Sequence, residues 1–187
     1  MALLGRSFYA SCLTTPYMDF LSLPGLQVLT VPRKTVLLAP GEVAQHCYFI
    51  LRVCLRLWVN HQGRDVTLQF FLEHEVVSSM ESFLHGLPSL FTLEAVESCE
   101  LAVLPRAAFD HLLATDAAFK DWFLQFTTRR FLHYTHQLLS FLHDTPAQRY
   151  QELVATAPAL LQRVPLHYIA SYLGITRVSL SRIRQRK

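Results

Sequence analysis

Charge is scarce in this chain: only 17% of its 187 residues are Asp, Glu, Lys or Arg, whereas 51% are hydrophobic. That balance excludes a disordered polymer, which stays open because it carries much charge and few apolar side chains. Long apolar runs are missing too. None approaches the roughly 18–20 residues that a membrane-spanning helix requires. The opening "MALLGRSFYASCL" sets Arg6 and Tyr9 among the apolar residues and makes a poor signal peptide. A cytoplasmic protein with no membrane partner is expected.

Clustered metal and redox chemistry is also lacking. The four cysteines, Cys12, Cys47, Cys54 and Cys99, include no C-x-x-C pair, whereas iron–sulfur ligation draws on closely spaced thiolates. They are expected as reduced, half-buried thiols. His133 and His136 stand three apart with His143 beyond, but no carboxylate is placed to complete a metal set, so these read as surface or interface histidines. A metal enzyme on a β-barrel scaffold would need a His-x-His with a following Glu. Only the isolated His46, His61, His74 and His85 occur in the β-rich region, and "EHE" at 73–75 is expected in a solvated loop. With no Ser-His-Asp signature and no glycine-rich phosphate loop, the chain does not read as an enzyme, and neither metal nor cofactor is expected.

What is present falls into two patterns. Between about Pro32 and Pro105, runs rich in β-branched and aromatic residues recur at close spacing: "TVLL", "CYFILRV", "CLRLWV", "VTLQFF", "FTLEAV" and "ELAVLP". Turn signals such as "APGE" and "NHQGRD" separate them, which predicts an antiparallel sandwich or jelly roll. From Arg106 the period becomes helical. "RAAFDHLLATD" forms a short helix, and Ala117 to about His143 follows without Pro or Gly, with Asp116 or Thr115 as its cap. Phe119, Trp122, Phe123, Phe126, Tyr134, Leu138 and Phe141 load this long helix with more apolar surface than a monomer covers, which favours a homodimer. Asp144 or Thr145 then caps a further helix that has Pro146 in its first turn.

Acidic residues disappear beyond Glu152. The segment from Leu153 holds six bases and no acid, leaving eleven bases against fourteen acids upstream. Such asymmetry points to a polyanion as partner of the last segment alone. Within it, "LHYIASYLGITRVSLSRI" sets Ile169, Ala170 and Leu173 on one helical face. Gly174 then supplies a sharp turn, Ile175 plugs the junction, and Thr176 caps a second helix whose Leu180 and Ile183 turn inward. This is a helix-turn-helix pattern. Its second helix leaves Arg177, Val178, Ser181, Arg182 and Gln185 free to face a DNA major groove, with Arg177 and Arg182 able to fork onto guanine. Thr176 and Ser179 suit phosphate oxygens, and Arg184 suits the backbone or solvent.

"APGEVAQHCYFILRVCLRLW", "GRDVTLQFF", "ESFLHGLPS" and "RVPLHYIASYLGITRVSLSRIR" together resemble the Crp/Fnr superfamily of bacterial transcription regulators, especially its short Bacteroidetes-type members. The resemblance implies an α+β chain. It would comprise a cyclic-nucleotide-binding-like antiparallel β jelly roll over residues 1–115, a long dimerisation helix over 116–143, and a helix-turn-helix without an evident wing over 144–187. It also implies a homodimer that binds near-palindromic double-stranded DNA and works with RNA polymerase. Family members that respond to cyclic AMP read DNA through an Arg-Glu pair and a later Arg. These positions fall on Arg177, Val178 and Arg182, so a different operator is expected. Their ligand pocket carries Gly-Glu and Arg-Ser or Arg-Thr, which become Ser78-Ser79 and Ser89-Leu90 here. Without the arginine that neutralises the cyclic phosphate, cyclic AMP is not expected to bind. The glycine usual at Val53 is also replaced, which predicts a remodelled turn. Two alternatives remain: a regulator answering a different small ligand or a redox signal, and a jelly-roll ligand-binding protein whose helix-turn-helix docks protein.

Overall fold

The computed structural model describes residues 20–185, which form two compact units with a boundary between Trp122 and Phe123. After a 3-10 turn at Phe20–Ser22, the first unit contains eight strands. These are β1 (Gln27–Val31), β2 (Val36–Leu38), β3 (His46–Arg52), β4 (Leu55–His61), β5 (Arg64–Phe71), β6 (Val76–Val77), β7 (Thr92–Ala95) and β8 (Cys99–Pro105). Two antiparallel four-stranded sheets, ordered β1-β8-β3-β6 and β2-β7-β4-β5, make the expected jelly-roll-like arrangement. Ile50, Leu55, Leu93, Leu101 and Leu104 are fully buried in its core. Two strands lie outside the sequence expectation. β6 has only two residues, and β1 precedes Pro32 and exposes four of its five residues, so neither carries the alternation that marks a half-buried strand.

The β4–β5 hairpin closes through Gln62 and Gly63, both at positive φ, which matches the strand twist of a two-residue turn. On β4 the alternation buries Leu55 and Leu57, and between them Arg56 is buried completely. The guanidinium donates to Glu94 Oε2 at 2.9 Å and Asp65 Oδ2 at 3.1 Å, and lies 4.6 Å from the Trp58 ring centroid. A charge removed from water persists only with such partners, and these carboxylates stitch β4 to β5 and β7.

Val53, between β3 and β4, departs from the expectation of a remodelled turn. It occupies the left-handed region at φ +79°, so the turn keeps the geometry a glycine would adopt. The Val53 N–H donates to Glu73 Oε1 at 2.8 Å, and the neighbouring His74, itself at φ +68°, donates its N–H to the Ile50 carbonyl. Glu73 and Glu75 are thus half-buried turn partners rather than the solvated loop expected for "EHE": Glu75 Oε2 accepts the Leu72 N–H at 2.7 Å.

Three helices complete this unit or leave it: α1 (Met80–His85), α2 (Arg106–Thr115) and the 27-residue α3 (Ala117–His143). Asp116 caps α3, its Oδ1 accepting the N–H groups of Ala118 and Phe119 at 2.9 and 3.1 Å. Phe83, Phe109 and Phe119 meet edge-to-face at 5.0 and 5.3 Å, and Trp122 continues the series 5.2 Å from Phe119 and 6.2 Å from Phe49 on β3. This aromatic ladder fastens the start of α3 to its own β-sandwich by ring geometries that rings prefer.

The second unit holds the rest of α3 and then α4 (Pro146–Thr156), α5 (Pro158–Arg163), α6 (Leu166–Tyr172) and α7 (Arg177–Gln185). Thr145 and Gln148 form a reciprocal capping box at the start of α4, with Pro146 in its first turn as expected. Pro158 both stops α4 and starts α5. No helix among the described residues is long and apolar enough to cross a membrane.

A β-branched residue in the left-handed region costs about 1–2 kcal/mol, so Val53→Gly should stabilise the protein by about 1 kcal/mol after glycine's own entropic cost. Urea denaturation followed by fluorescence measures this, and a destabilised variant would show that the valine side chain has packing the turn needs.

Candidate nucleic-acid interface and sensor pocket

Pro165 opens α6, and Ile169, Ala170 and Leu173 are buried against its neighbours. The helix stops at a paired hydrogen-bond closure: Gly174 N–H donates to Ser171 O at 3.0 Å, and Ile175 N–H donates to Ala170 O at 2.9 Å. That closure demands a left-handed residue, and Gly174 supplies it at φ +70°. Thr176 then caps α7, its Oγ1 accepting the Ser179 N–H at 3.2 Å while its carbonyl accepts the Leu180 N–H at 3.0 Å. Four residues, Leu173 to Thr176, therefore turn the chain from one helix into the next.

Leu180 keeps 1% of its surface, and Ile183 is half-buried. The opposite surface of α7 exposes Arg177, Val178, Ser181, Arg182, Arg184 and Gln185, with Val178 at 60%. Among the described residues, none of the three arginines is engaged in an ion pair. No acidic residue occupies the first turn, so nothing offsets the partial positive charge of the helix start. Of the expected phosphate-facing hydroxyls, Thr176 is exposed. Ser179 is half-buried, with its Oγ 3.0 Å from Thr176 Oγ1. The structure thus brings six of the seven candidate DNA-facing residues to one surface and turns Ser179 toward the cap.

Residues 123–143 of α3 carry a second exposed feature. Leu124, Phe131 and Leu138 recur every seven residues and alternate with Thr128, Thr135 and Leu142, the a/d spacing of a coiled-coil seam. Phe131 and Leu142 expose 69% and 72% of their surfaces. Both threonines have already spent their hydroxyls on their own helix, Thr128 Oγ1 donating to Leu124 O at 2.8 Å and Thr135 Oγ1 to Phe131 O at 3.0 Å. Covering the seam would therefore strand no polar hydrogen. The large aromatics of the helix draw attention from this stripe in the sequence, and the heptad spacing is the signal that finds it. Phe119, Trp122 and Phe126 are instead buried. His133, expected at a surface or an interface, is buried within the chain, and burial first, then Arg130 and His136, push its pKa down to about 4. It stays neutral at physiological pH.

In the β-sandwich unit, a pocket of about 400 Å³ is floored by Leu37, Leu38 and Leu93 and edged by Glu42, Gln45, His46, Tyr48, Ser78 and Ser79. No lysine or arginine lines it. Burial, with Cys47 and Glu42 nearby, raises the Tyr48 phenol to about 12, so it too is neutral. Ser78 Oγ donates to His46 O at 2.9 Å. Ser89 spends all its groups inside the chain. Its N–H donates to Glu42 O and its carbonyl accepts from Gly41 N–H, both at 2.8 Å, while its hydroxyl donates to Ser79 Oγ at 2.9 Å and accepts the Phe91 N–H at 3.0 Å. Ser78, Ser79 and Ser89 are buried, whereas Leu90 is 69% exposed and takes no part.

Cys47, Cys54 and Cys99 are fully buried, more so than the half-buried state expected; Cys12 lies outside the described residues. Burial raises the Cys47 thiol to about 12. Among the described residues no group of three or more His, Cys, Asp or Glu is arranged to hold a metal ion.

Residues 28–116 match the cyclic nucleotide-binding domain family. Solved structures share the wider fold. The c-di-GMP-responsive global regulator CLP of Xanthomonas campestris aligns at 19% identity and TM-score 0.68, over 88% of this chain and 87% of its own. The catabolite activator protein of Thermus thermophilus aligns at 22% identity and TM-score 0.58, over 93% and 85% respectively. A Eubacterium rectale protein assigned to the Crp/Fnr family of transcriptional regulators aligns at 15% identity and TM-score 0.69, over 86% and 77%. No curated protein matches the chain.

Thiols sealed from solvent are out of reach of an oxidant or an alkylating reagent, and burial also leaves Cys47 almost no thiolate. In a Cys12→Ser background the folded protein should therefore consume no thiol reagent at pH 8, and all three remaining cysteines should react only after denaturation. Rapid reaction of the native protein would return a redox signal to consideration.

Proposed function

Starting from a cyclic nucleotide-binding domain set within the fold of the Crp/Fnr transcription regulators, we propose that this chain is a sequence-specific DNA-binding regulator acting as a homodimer in the bacterial cytoplasm. One observation carries the reading. α7 hides Leu180 and presents Arg177, Val178, Ser181 and Arg182 as a cationic surface free of ion pairs among the described residues. In a major groove, Arg177 and Arg182 each reach guanine O6 and N7. Val178 contributes apolar contact in place of a hydrogen-bond acceptor, Thr176 takes a phosphate oxygen, and Ser179 supports that cap. Arg184 adds backbone attraction.

The α3 seam supplies the dimer. Two copies pairing along Leu124, Phe131, Leu138 and Leu142 would bury the stripe and set two recognition helices for successive major grooves about 34 Å apart, hence a near-palindromic site. The division of labour is a sensor-like domain over residues 1–115, a dimerisation helix over 116–143 and a DNA reader over 144–187, with RNA polymerase as the further partner. Transcriptional regulation of this kind needs no catalytic group.

The sensor pocket is degenerate for cyclic AMP. A cyclic phosphate buried there meets the Glu42 carboxylate, with no lysine or arginine to repay its desolvation. The pocket volume still admits a second reading, in which an uncharged small ligand takes the place of a nucleotide.

Selection of bound sequences from a random DNA pool by the purified protein should yield an inverted repeat. On that site, Arg177→Ala or Arg182→Ala should each cost about 1–3 kcal/mol and relax preference at one base position per half-site. Equal weakening on every sequence would reduce these residues to phosphate contacts. Calorimetric titration with cyclic AMP should give no saturable heat at micromolar concentration; a clear isotherm would overturn the argument from the pocket lining.

A further inference from the structure

Arg149, on the first turns of α4, makes three contacts that join segments far apart in sequence. Its Nη1 donates to Asp144 O at 2.6 Å, just past the end of α3, and its Nη2 donates to Leu173 O at 3.0 Å, at the end of α6. The guanidinium also lies 4.6 Å from the centroid of Phe141 in the last turn of α3. Gly174 closes the group. A Cβ at that position would stand 3.1 Å from Phe141 Cε1, a tight contact, and 4.0 Å from Arg149 Nη2, an ordinary one, so the helix-turn-helix turn lies directly against both ring and cation.

The chemistry of the two acceptors explains why an arginine sits here. Carbonyls at helix C-termini lack intrahelical donors and carry the negative end of the helix dipole. Here the ends of α3 and α6 converge, and one planar cation with a fixed fork satisfies both while stacking on a ring. An ammonium has the charge but neither the fork nor the flat face. The segment between is itself fixed, because Ser140 Oγ donates to Asp144 Oδ2 at 2.6 Å and the Thr145–Gln148 capping box follows at once.

We propose that Arg149 is the positioning residue that fixes the recognition helix to the end of the dimerisation helix, and thereby sets the half-site spacing the dimer reads. This rests on the DNA-reading function above. Any tilt at the Phe141–Arg149–Gly174 contact is carried directly into α7. In a pair of chains joined along α3, it would be doubled across the two half-sites.

Two measurements on the full chain test it. Binding by fluorescence anisotropy would be compared on the selected operator and on versions with one base pair added to or removed from its centre. Wild type should lose about tenfold or more on the altered spacers, because half-sites must match the helical repeat. Arg149→Gln and Arg149→Lys should bind the operator more weakly yet distinguish the spacers by less than about threefold, with the salt dependence unchanged because phosphate contacts remain. Full spacer discrimination in either folded variant, or complete rescue by lysine, would overturn the proposal. Amide hydrogen exchange without DNA is the independent arm. Asp144, Gly174 and Ile175 should exchange faster in Arg149→Gln while Leu180 does not, and unchanged exchange at the turn would also refute the role. Should wild type select no DNA at all while exchange at the turn still accelerates, the DNA reading fails and the clasp stands as a structural fact alone.

Discussion

Leu180 is nearly sealed from solvent in a helix of only nine residues, and that burial constrains everything on the other side of the helix. With 3.6 residues per turn, hiding position 180 and half-hiding 183 leaves positions 177, 178, 181, 182, 184 and 185 nowhere to go but outward. The orientation holds only if the chain reverses between Leu173 and Thr176, which requires the left-handed residue at Gly174 and the hydroxyl cap at Thr176. A side chain at 174 would be strained in the left-handed backbone and would press on Phe141 before any question of DNA arose. Packing, turn and cationic surface are therefore one constraint, met by a handful of residues.

The β-sandwich unit shows a different logic, in which polar groups are tied up rather than presented. Arg56 is enclosed by carboxylates from two neighbouring strands, and Ser89 is bonded through its N–H, carbonyl and hydroxyl. Opening the Ser89 loop to hold an anion would break bonds among Gly41, Glu42, Ser79 and Phe91 without a cation to replace them. The strands and turns of this unit match a cyclic nucleotide-binding domain, while no lysine or arginine lines its pocket.

Much of this was legible in the residues. The strand runs between Pro32 and Pro105, the unbroken helix from Ala117, the caps at Asp116 and Thr145, and the Ala170–Gly174–Leu180 pattern all depend on local chemistry, which sequence carries directly. What escaped depends on encounters between distant segments. Nothing near Arg149 announces the carbonyl of Leu173, 24 residues away. Val53 gives no sign that Glu73 will hold its amide in a conformation valine avoids. The burial of Cys47, Cys54 and Cys99 was underestimated because short strands expose or hide a thiol according to the sheet that covers them. The heptad at Leu124, Phe131 and Leu138 was present in the sequence, but large aromatics at neighbouring positions masked its period.

The aromatic ladder has a spectroscopic corollary. Both tryptophans of the chain, Trp58 and Trp122, belong to the β-sandwich unit, one under a guanidinium and the other at the foot of the ring series, while the helical unit absorbs through tyrosine and phenylalanine. Indole emission excited at long wavelength therefore reports on one half of the molecule. Circular dichroism in the helical band, dominated by α3 to α7, weighs the other. If the two halves loosen at different temperatures, these two optical signals will separate, and their divergence becomes a label-free gauge of how independently the two units behave.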